Sequence, residues 1–367
     1  MSNDATTRAV PPFCNPDEPP KNYRDYPRDF DMVDTPEQLA WWPLLRGHLE
    51  ICEREVLPAY KQADAGALRH QDRHRKLANA AALFGTAAVL LAIFQLAFPE
   101  IAEQRGVGDV PTLETLSALA ALFAVVLGLL IALKARWLLE RHKSERLRLL
   151  KFHFLLDPDV WCDDDRFAKL VQNLRESVQR VGQMTAHDFH EWVEELGKIA
   201  IPRPPRSCTA DAEAFRQLVD YYRAKRLVFQ RVYFENRKRR NVPLAWLTGW
   251  LAPLLFFLSV AFVLLHYGIE HLVHVENSHE IGRLFIFLAA ALPTVGAGIR
   301  TLTAAHEFGR NKVRYHAKEA VLNYADKDLR EAKDADARLL DMEFCEQTLE
   351  LEHREWARLM IETEVFP

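Results

Sequence analysis

Glycine is scarce in this chain, at 14 of 367 residues, well under the usual share of about 7%. That scarcity argues against glycine-rich phosphate loops, β-rich folds and low-complexity linkers. Cysteine is also sparse: Cys14, Cys52, Cys162, Cys208 and Cys345 are widely scattered. No CxxC pair and no Cys/His zinc spacing occurs, which excludes a disulfide framework and a zinc module. The odd number fits a reducing compartment. The sequence lacks GxxxxGK[ST], GxGxxG, GxSxG and HExxH patterns, so no catalytic residue, metal centre or cofactor is expected, and the chain does not read as an enzyme. The first dozen residues contain Pro11 and Pro12 and no apolar stretch, which predicts no cleavable leader.

Charge is missing from four particular places. The net charge of −4 and a mean hydropathy of −0.16 look ordinary for a soluble protein. The average conceals four uncharged runs, at residues 77–98, 116–133, 244–265 and 284–299, the last extending to 302 if Arg300 snorkels. A helix needs about 20 apolar residues to cross the hydrocarbon core, and buried helices of soluble proteins rarely sustain uncharged runs of this length.

The basic residues are distributed unevenly around these runs. Before run one lie Arg69, Arg73, Arg75 and Lys76, and before run three come Arg237, Lys238, Arg239 and Arg240. Run two is followed by Lys134 and Arg136, and run four by Arg300 and Arg310. The two short connections within the pairs hold one each, Arg105 and Arg283. By the positive-inside rule both termini and the central region face the cytoplasm. Trp137, Trp246 and Trp250 stand near run ends, as interfacial anchors do.

The runs also repeat. Runs one and three begin at 77 and 244, runs two and four at 116 and 284, so the second pair follows the first at an almost constant offset. Each pair is entered through a basic cluster, RHQDRHRK or RKRR. The economical reading is two tandem two-span units in the same orientation. The expected fold is therefore an all-α integral membrane protein. Its four transmembrane helices form two tandem hairpins, with long cytoplasmic helices making a bundle or stalk.

Five segments are expected. Residues 1–33, rich in Pro, Asp and charge, read as a mobile N-terminal arm. Residues 34–156 hold the first two-span unit, and Asp34-Thr35-Pro36-Glu37 writes a helix start. Residues 157–208 read as a helical linker, with an amphipathic helix after Asp163, Asp164 and Asp165. Residues 209–330 hold the second two-span unit, entered by a helix from Asp211 through Arg240 of about 45 Å that ends by Pro243. Residues 331–367 form a C-terminal amphipathic helix with apolar positions Leu351, Trp356, Leu359, Met360 and Val365, either packed on the bundle or open to self-association.

Few polar residues interrupt the spans. Thr86 and Gln95 lie in run one, and Pro293, Thr294, Gly296 and Gly298 lie in run four. Proline with two glycines in a short span predicts a kinked or locally opened helix, while small residues also permit close helix packing. These six residues are either ordinary packing positions or a pore-lining, gating element. No Asp, Glu or Lys lies inside a span, which argues against a proton-coupled transporter. His187, His190, Glu191 and Glu194 share a helix face, and His266, His271, His274 and His279 crowd one outer connection. Either group reads as surface histidines or as a metal or pH site, and nothing fixes a coordination geometry. The basic clusters Arg73, Arg75, Lys76, Arg237, Lys238, Arg239, Arg240 and Arg300 read as topology signals and contacts to anionic lipid rather than as a nucleic-acid surface.

The segments AGALRHQDRHRKLANAAALFGTAAVLLAIF, LGLLIALKARWLLERHKSERLRLL and LPTVGAGIRTLTAAHEFGRNKVRYHAKEAVL resemble the SLATT group (SMODS and SLOG-associating transmembrane effectors), here in a tandem four-span form. The resemblance is one of architecture and helix texture over residues 60–155 and 220–330. It implies a multi-pass protein of the bacterial inner membrane acting in conflict and antiviral defence, which oligomerises or opens a pore when a signal arrives. The implied partners are the lipid bilayer, further copies of the chain, and a nucleotide second messenger or a separately encoded signalling protein. The alternative is a non-conducting membrane scaffold that anchors a cytoplasmic complex.

Overall fold

The computed structural model describes residues 14–102, 110–161, 164–194, 211–272, 278–306, 308–332 and 334–362. Among the described residues every regular element is helical and no strand occurs. The principal helices are α1 (Arg46–Glu55), α2 (Leu57–Ala97), α3 (Val110–Ile131), α4 (Leu133–Leu156), α5 (Asp164–Gln183) and α6 (Ala186–Glu194). They continue as α7 (Ala212–Tyr222), α8 (Phe229–Leu272), α9 (Ser278–His306), α10 (Phe308–Glu331) and α11 (Ala335–Glu362). The chain forms two compact units. A polar unit gathers residues 1–68, 135–238 and 314–363, and an apolar unit gathers 69–134 and 239–313. Sequence reading cut the chain consecutively, whereas packing draws each unit from separated stretches.

In the apolar unit, four helices are long and apolar enough to cross a membrane, with apolar stretches in Leu57–Ala97, Val110–Ile131, Trp246–Ile269 and Glu280–Thr303. Their apolar side chains are mostly not buried by the protein: Leu96, Leu130 and Phe257 are at least 70% exposed. Helices that are hydrophobic all round and uncovered suit lipid as their solvent. Helices α3, α8 and α9 extend past their apolar runs: α3 begins at Val110, α8 ends at Leu272 and α9 begins at Ser278. The expected stop at Pro243 does not occur. Helix α8 runs through Pro243 and Pro253, and α9 through Pro293.

The polar unit follows from local signals. Thr35 caps a single turn, Pro36–Leu39, in a reciprocal capping box with Gln38, and Pro36 takes the first helical position. Helix α5 places Phe167, Leu170, Val171, Leu174, Val178 and Val181 on one face against the main core, the spacing of an amphipathic helix. Asp211 caps α7. Between α7 and α8 the chain makes a wide π-helical turn, Arg223–Val228, whose six residues are all buried. Such turns are rare interruptions of an α-helix.

Two expectations change here. Among the described residues of the expected mobile arm, Cys14, Tyr26, Phe30 and Met32 are buried in the main cluster, with Tyr26 and Phe30 packed on Phe229 at the start of α8. On α11 the buried line is Met342, Cys345, Glu346, His353, Ala357 and Met360. Leu351 and Leu359 of the expected stripe are exposed, since two polar residues occupy the inward face.

Ala132, between α3 and α4, has φ 48°, a left-handed conformation that costs a residue bearing a Cβ about 1–2 kcal/mol. The residue is exposed, so no packing opposes its replacement. Ala132→Gly is expected to stabilise the protein by about 0.5–1 kcal/mol, and Ala132→Val to destabilise it. Denaturant midpoints of the detergent-solubilised chain check this, and equal midpoints would contradict the strain.

Candidate functional site

The residues singled out inside the spans are brought together at helix contacts of the apolar unit. Gln95 of α2 donates to Glu114 of α3 at 2.6 Å. Phe94 of α2 and Phe98, just past its end, meet Phe287 of α9 edge-on and tilted, at 6.1 and 5.7 Å between ring centres. A Cβ added at Gly298 would collide with the Thr86 side chain of α2. One added at Gly296 would lie 3.5 Å from the Ala252 carbonyl oxygen of α8. Helix α2 thus touches α3 and α9, and α9 touches α8. Both glycines serve close approach, which lets backbones meet without side chains between them.

Proline 293 has a specific remedy. It lacks the N–H that would bond the carbonyl four residues earlier, that of Ala289. The Ser259 hydroxyl of α8 donates to the Ala289 carbonyl at 2.6 Å. One helix therefore satisfies the acceptor that proline frees in its neighbour, a need that lipid makes acute. The Thr294 hydroxyl donates to the Ala290 carbonyl at 3.0 Å, and Thr301 and Thr303 bond back within α9 in the same way.

The flanking cations are not all solvent-facing. Lys76 pairs with Asp72 at 2.7 Å, Arg237 lies 5.2 Å above the Tyr233 ring, and Lys238 pairs with Glu319. Arg73 and Arg300 are exposed. Arg75 and Arg239 are described in α2 and α8, and the Arg240 side chain lies outside the described residues. Among the described residues no cluster of three metal-binding side chains exists. His190 instead bonds the Ala186 carbonyl in its own helix at 2.7 Å, and the side chains of His271, His274 and His279 lie outside the described residues.

The polar unit holds a second constellation that sequence reading missed. Asp34 is 1% exposed. Its carboxylate receives Lys151 of α4 at 2.7 Å and Lys225 of the π turn at 3.0 Å, both fully buried. The Tyr221 hydroxyl stands 3.0 Å from the same group. Lys151 also donates to the carbonyls of Asp31 and Met32, and Lys225 to those of Phe30 and Val33 and to the Gln38 side chain. The Lys225 ammonium lies 4.1 Å over the Phe30 ring. Both ammoniums are thus saturated by a turn of the arm, entered at Asp29 with φ 53°. Burial would raise the Asp34 carboxyl, but the two ammoniums outweigh it and hold it below the usual carboxylate range.

Further pairs extend this network. Arg226 grips Glu346 of α11 through two bonds of 2.8 and 2.7 Å, and the Tyr222 hydroxyl lies 2.8 Å from the same carboxylate. Arg223 donates to Asp326 of α10 at 2.9 Å and to Asp17 of the arm at 2.8 Å. Arg148 pairs with Asp31 at 2.7 Å. The π turn therefore sends three cations to four carboxylates, Asp17, Asp34, Asp326 and Glu346. No signal in the sequence distinguishes Lys151 or Lys225 from the basic residues beside them. Only the acidic spacing of Asp17, Asp31 and Asp34 hints that the arm answers cations.

No family model, no curated protein and no solved structure matches the chain.

Two measurements test these contacts. Asp34→Asn is expected to cost about 3–5 kcal/mol, because it strands two buried ammoniums. Replacing Asp34, Lys151 and Lys225 together by Leu, Met and Met should recover most of that loss. The Asp34 contribution is complete above the unfolded carboxyl pKa of about 3.9 and is lost as pH falls below it. Ser259→Ala is expected to cost about 1–3 kcal/mol by orphaning a carbonyl. In a Pro293→Ala background, which restores the N–H, the same change should cost far less. An additive double-mutant cycle in denaturant unfolding would remove the Ser259–Pro293 link.

Proposed function

We propose that the chain is a SLATT-type effector of the bacterial inner membrane, with two tandem two-span hairpins and both termini in the cytoplasm. In this reading its cytoplasmic helices hold further copies in a closed assembly. A nucleotide signal or a separately encoded signalling protein shifts that assembly toward an open or clustered state that disrupts the membrane. Such a ligand acts only through different affinities for the two states. The observation carrying the proposal is the pairing of four uncovered apolar helices with a separately packed polar unit in one chain that bears no metal cluster among its described residues. The strong basic bias on one side of the spans supports the orientation.

A non-conducting scaffold is the second reading, and one observation favours it. The hydroxyls of Ser259, Thr294, Thr301 and Thr303 are spent on helix carbonyls rather than presented in a row along a pore.

Induced expression of the full chain with a membrane-potential dye separates the two. The effector reading expects depolarisation and growth arrest at expression levels where an unrelated four-span protein is inert. A polarised membrane at high expression, with one stoichiometric soluble partner recovered in a pull-down, would overturn it in favour of the scaffold.

A further inference from the structure

Away from the Asp34 network, the polar unit contains a smaller cluster built from Trp137 and Leu138 of α4, Phe189 and Val193 of α6, and Ala357 and Met360 of α11. At its centre two imidazoles meet. His142 of α4 is fully buried and His353 of α11 is 9% exposed. His142 Nδ1 and His353 Nε2 are 3.2 Å apart, and the ring planes lie within 6° of parallel. Trp192 of α6 packs 4.1 Å from His142 and Trp356 of α11 5.5 Å from His353, between ring centres.

One proton suffices for this contact: one ring donates and the other accepts. Protonating one ring puts a charge into the cluster, and protonating both removes the acceptor and places two like charges side by side. The surroundings do not answer that charge. Arg141 and Arg146 of α4, Lys318 of α10 and Arg354 of α11 face the pair and oppose its protonation. Glu145 favours it but is already shared by Arg141 and Arg148. The other nearby carboxylates are committed too: Asp64 of α2 to Arg141, Glu350 to Arg146, and Glu352 to Lys318 and Arg314. On α6 the outward residues His187, His190, Glu191 and Glu194 are exposed. Closure also leaves His142 Nε2 and Trp192 Nε1 buried with no hydrogen-bond partner among the described residues, and water would satisfy both on opening.

We propose that the His142–His353 pair is an acid-released latch that holds α6 and α11 against α4. In the closed state both imidazoles stay neutral; burial, first, and the neighbouring cations push His353 down to about 3 and His142 well below its usual range. Once open, each returns to about 6.5 and takes up a proton. The sign follows: groups depressed in the closed state hold the latch above about pH 6.5 and lose that hold as pH falls. Between pH 7.5 and 5.5 the opening constant rises about tenfold per imidazole, hence about 100-fold for the pair. The latch belongs to the polar unit alone and does not depend on what the spans do.

Hydrogen exchange of the full chain in detergent, read as protection factors of α11 amides corrected for intrinsic rates, tests this. Wild type should lose about 100-fold protection in α11 between pH 7.5 and 5.5, and His142→Gln or His353→Gln about tenfold. The double variant should show a flat profile. A flat wild-type profile would overturn the proposal; so would an unchanged slope in the double variant, which would assign the response to another buried histidine such as His74. If the double variant does not fold, acrylamide quenching of wild-type tryptophan decides: quenching that does not rise as pH falls to 5.5 also overturns it.

Discussion

The polar unit depends on one carboxylate. Two lysine ammoniums out of contact with water are tolerable only because Asp34 sits between them and carbonyls of a single turn take their remaining protons. Separating a buried ion pair costs far more than the pair contributes, so this arrangement stabilises less than it specifies. It fixes where the arm lies, which residue of the π turn faces it, and how α4 is rotated. Tyr26, Phe30 and Met32 then complete an apolar core that a free arm would leave open. Arg223, Lys225 and Arg226 lie within four residues of one another and reach partners in three separate stretches of chain.

The apolar unit obeys a different constraint. Where lipid replaces water, a carbonyl without a partner has no recourse. The consequence is visible at Pro293, where a hydroxyl from the adjacent helix supplies the missing donor. Pro293, Ser259 and Gly296 thus belong to one α8–α9 contact, in which close approach makes the hydrogen bond reachable.

Legibility in the sequence tracks the solvent. The four apolar helices could be read directly, because an uncharged run has few alternatives. So could the caps at Thr35 and Asp211 and the amphipathic face of α5. The arm and α11 were misread for a common reason: their decisive inward residues, Asp31, Asp34, Glu346 and His353, are polar. A hydrophobic pattern assigns such residues to the surface, and only their distant partners explain their burial. Asp34 meets Lys151 and Lys225 across more than a hundred residues of sequence. Pro243 fails as a stop signal because a proline removes only one backbone bond from a helix of 44 residues. Pro293 and Ser259 each stand out as exceptions within an apolar span, but nothing in the sequence links one to the other.

The discontinuity of the polar unit sets an order of events during synthesis. Its first stretch ends at residue 68, and its last begins at 314. A chain emerging from the ribosome presents both pairs of apolar helices before Glu346 exists. Arg226 must therefore wait for its carboxylate until 120 further residues have been made. Domains generally fold as units once their residues are available, so this one closes only after its last stretch, from residue 314 onward, has been made. A chain interrupted anywhere between the last span and α11 would keep its greasy helices while its polar half stays unfinished.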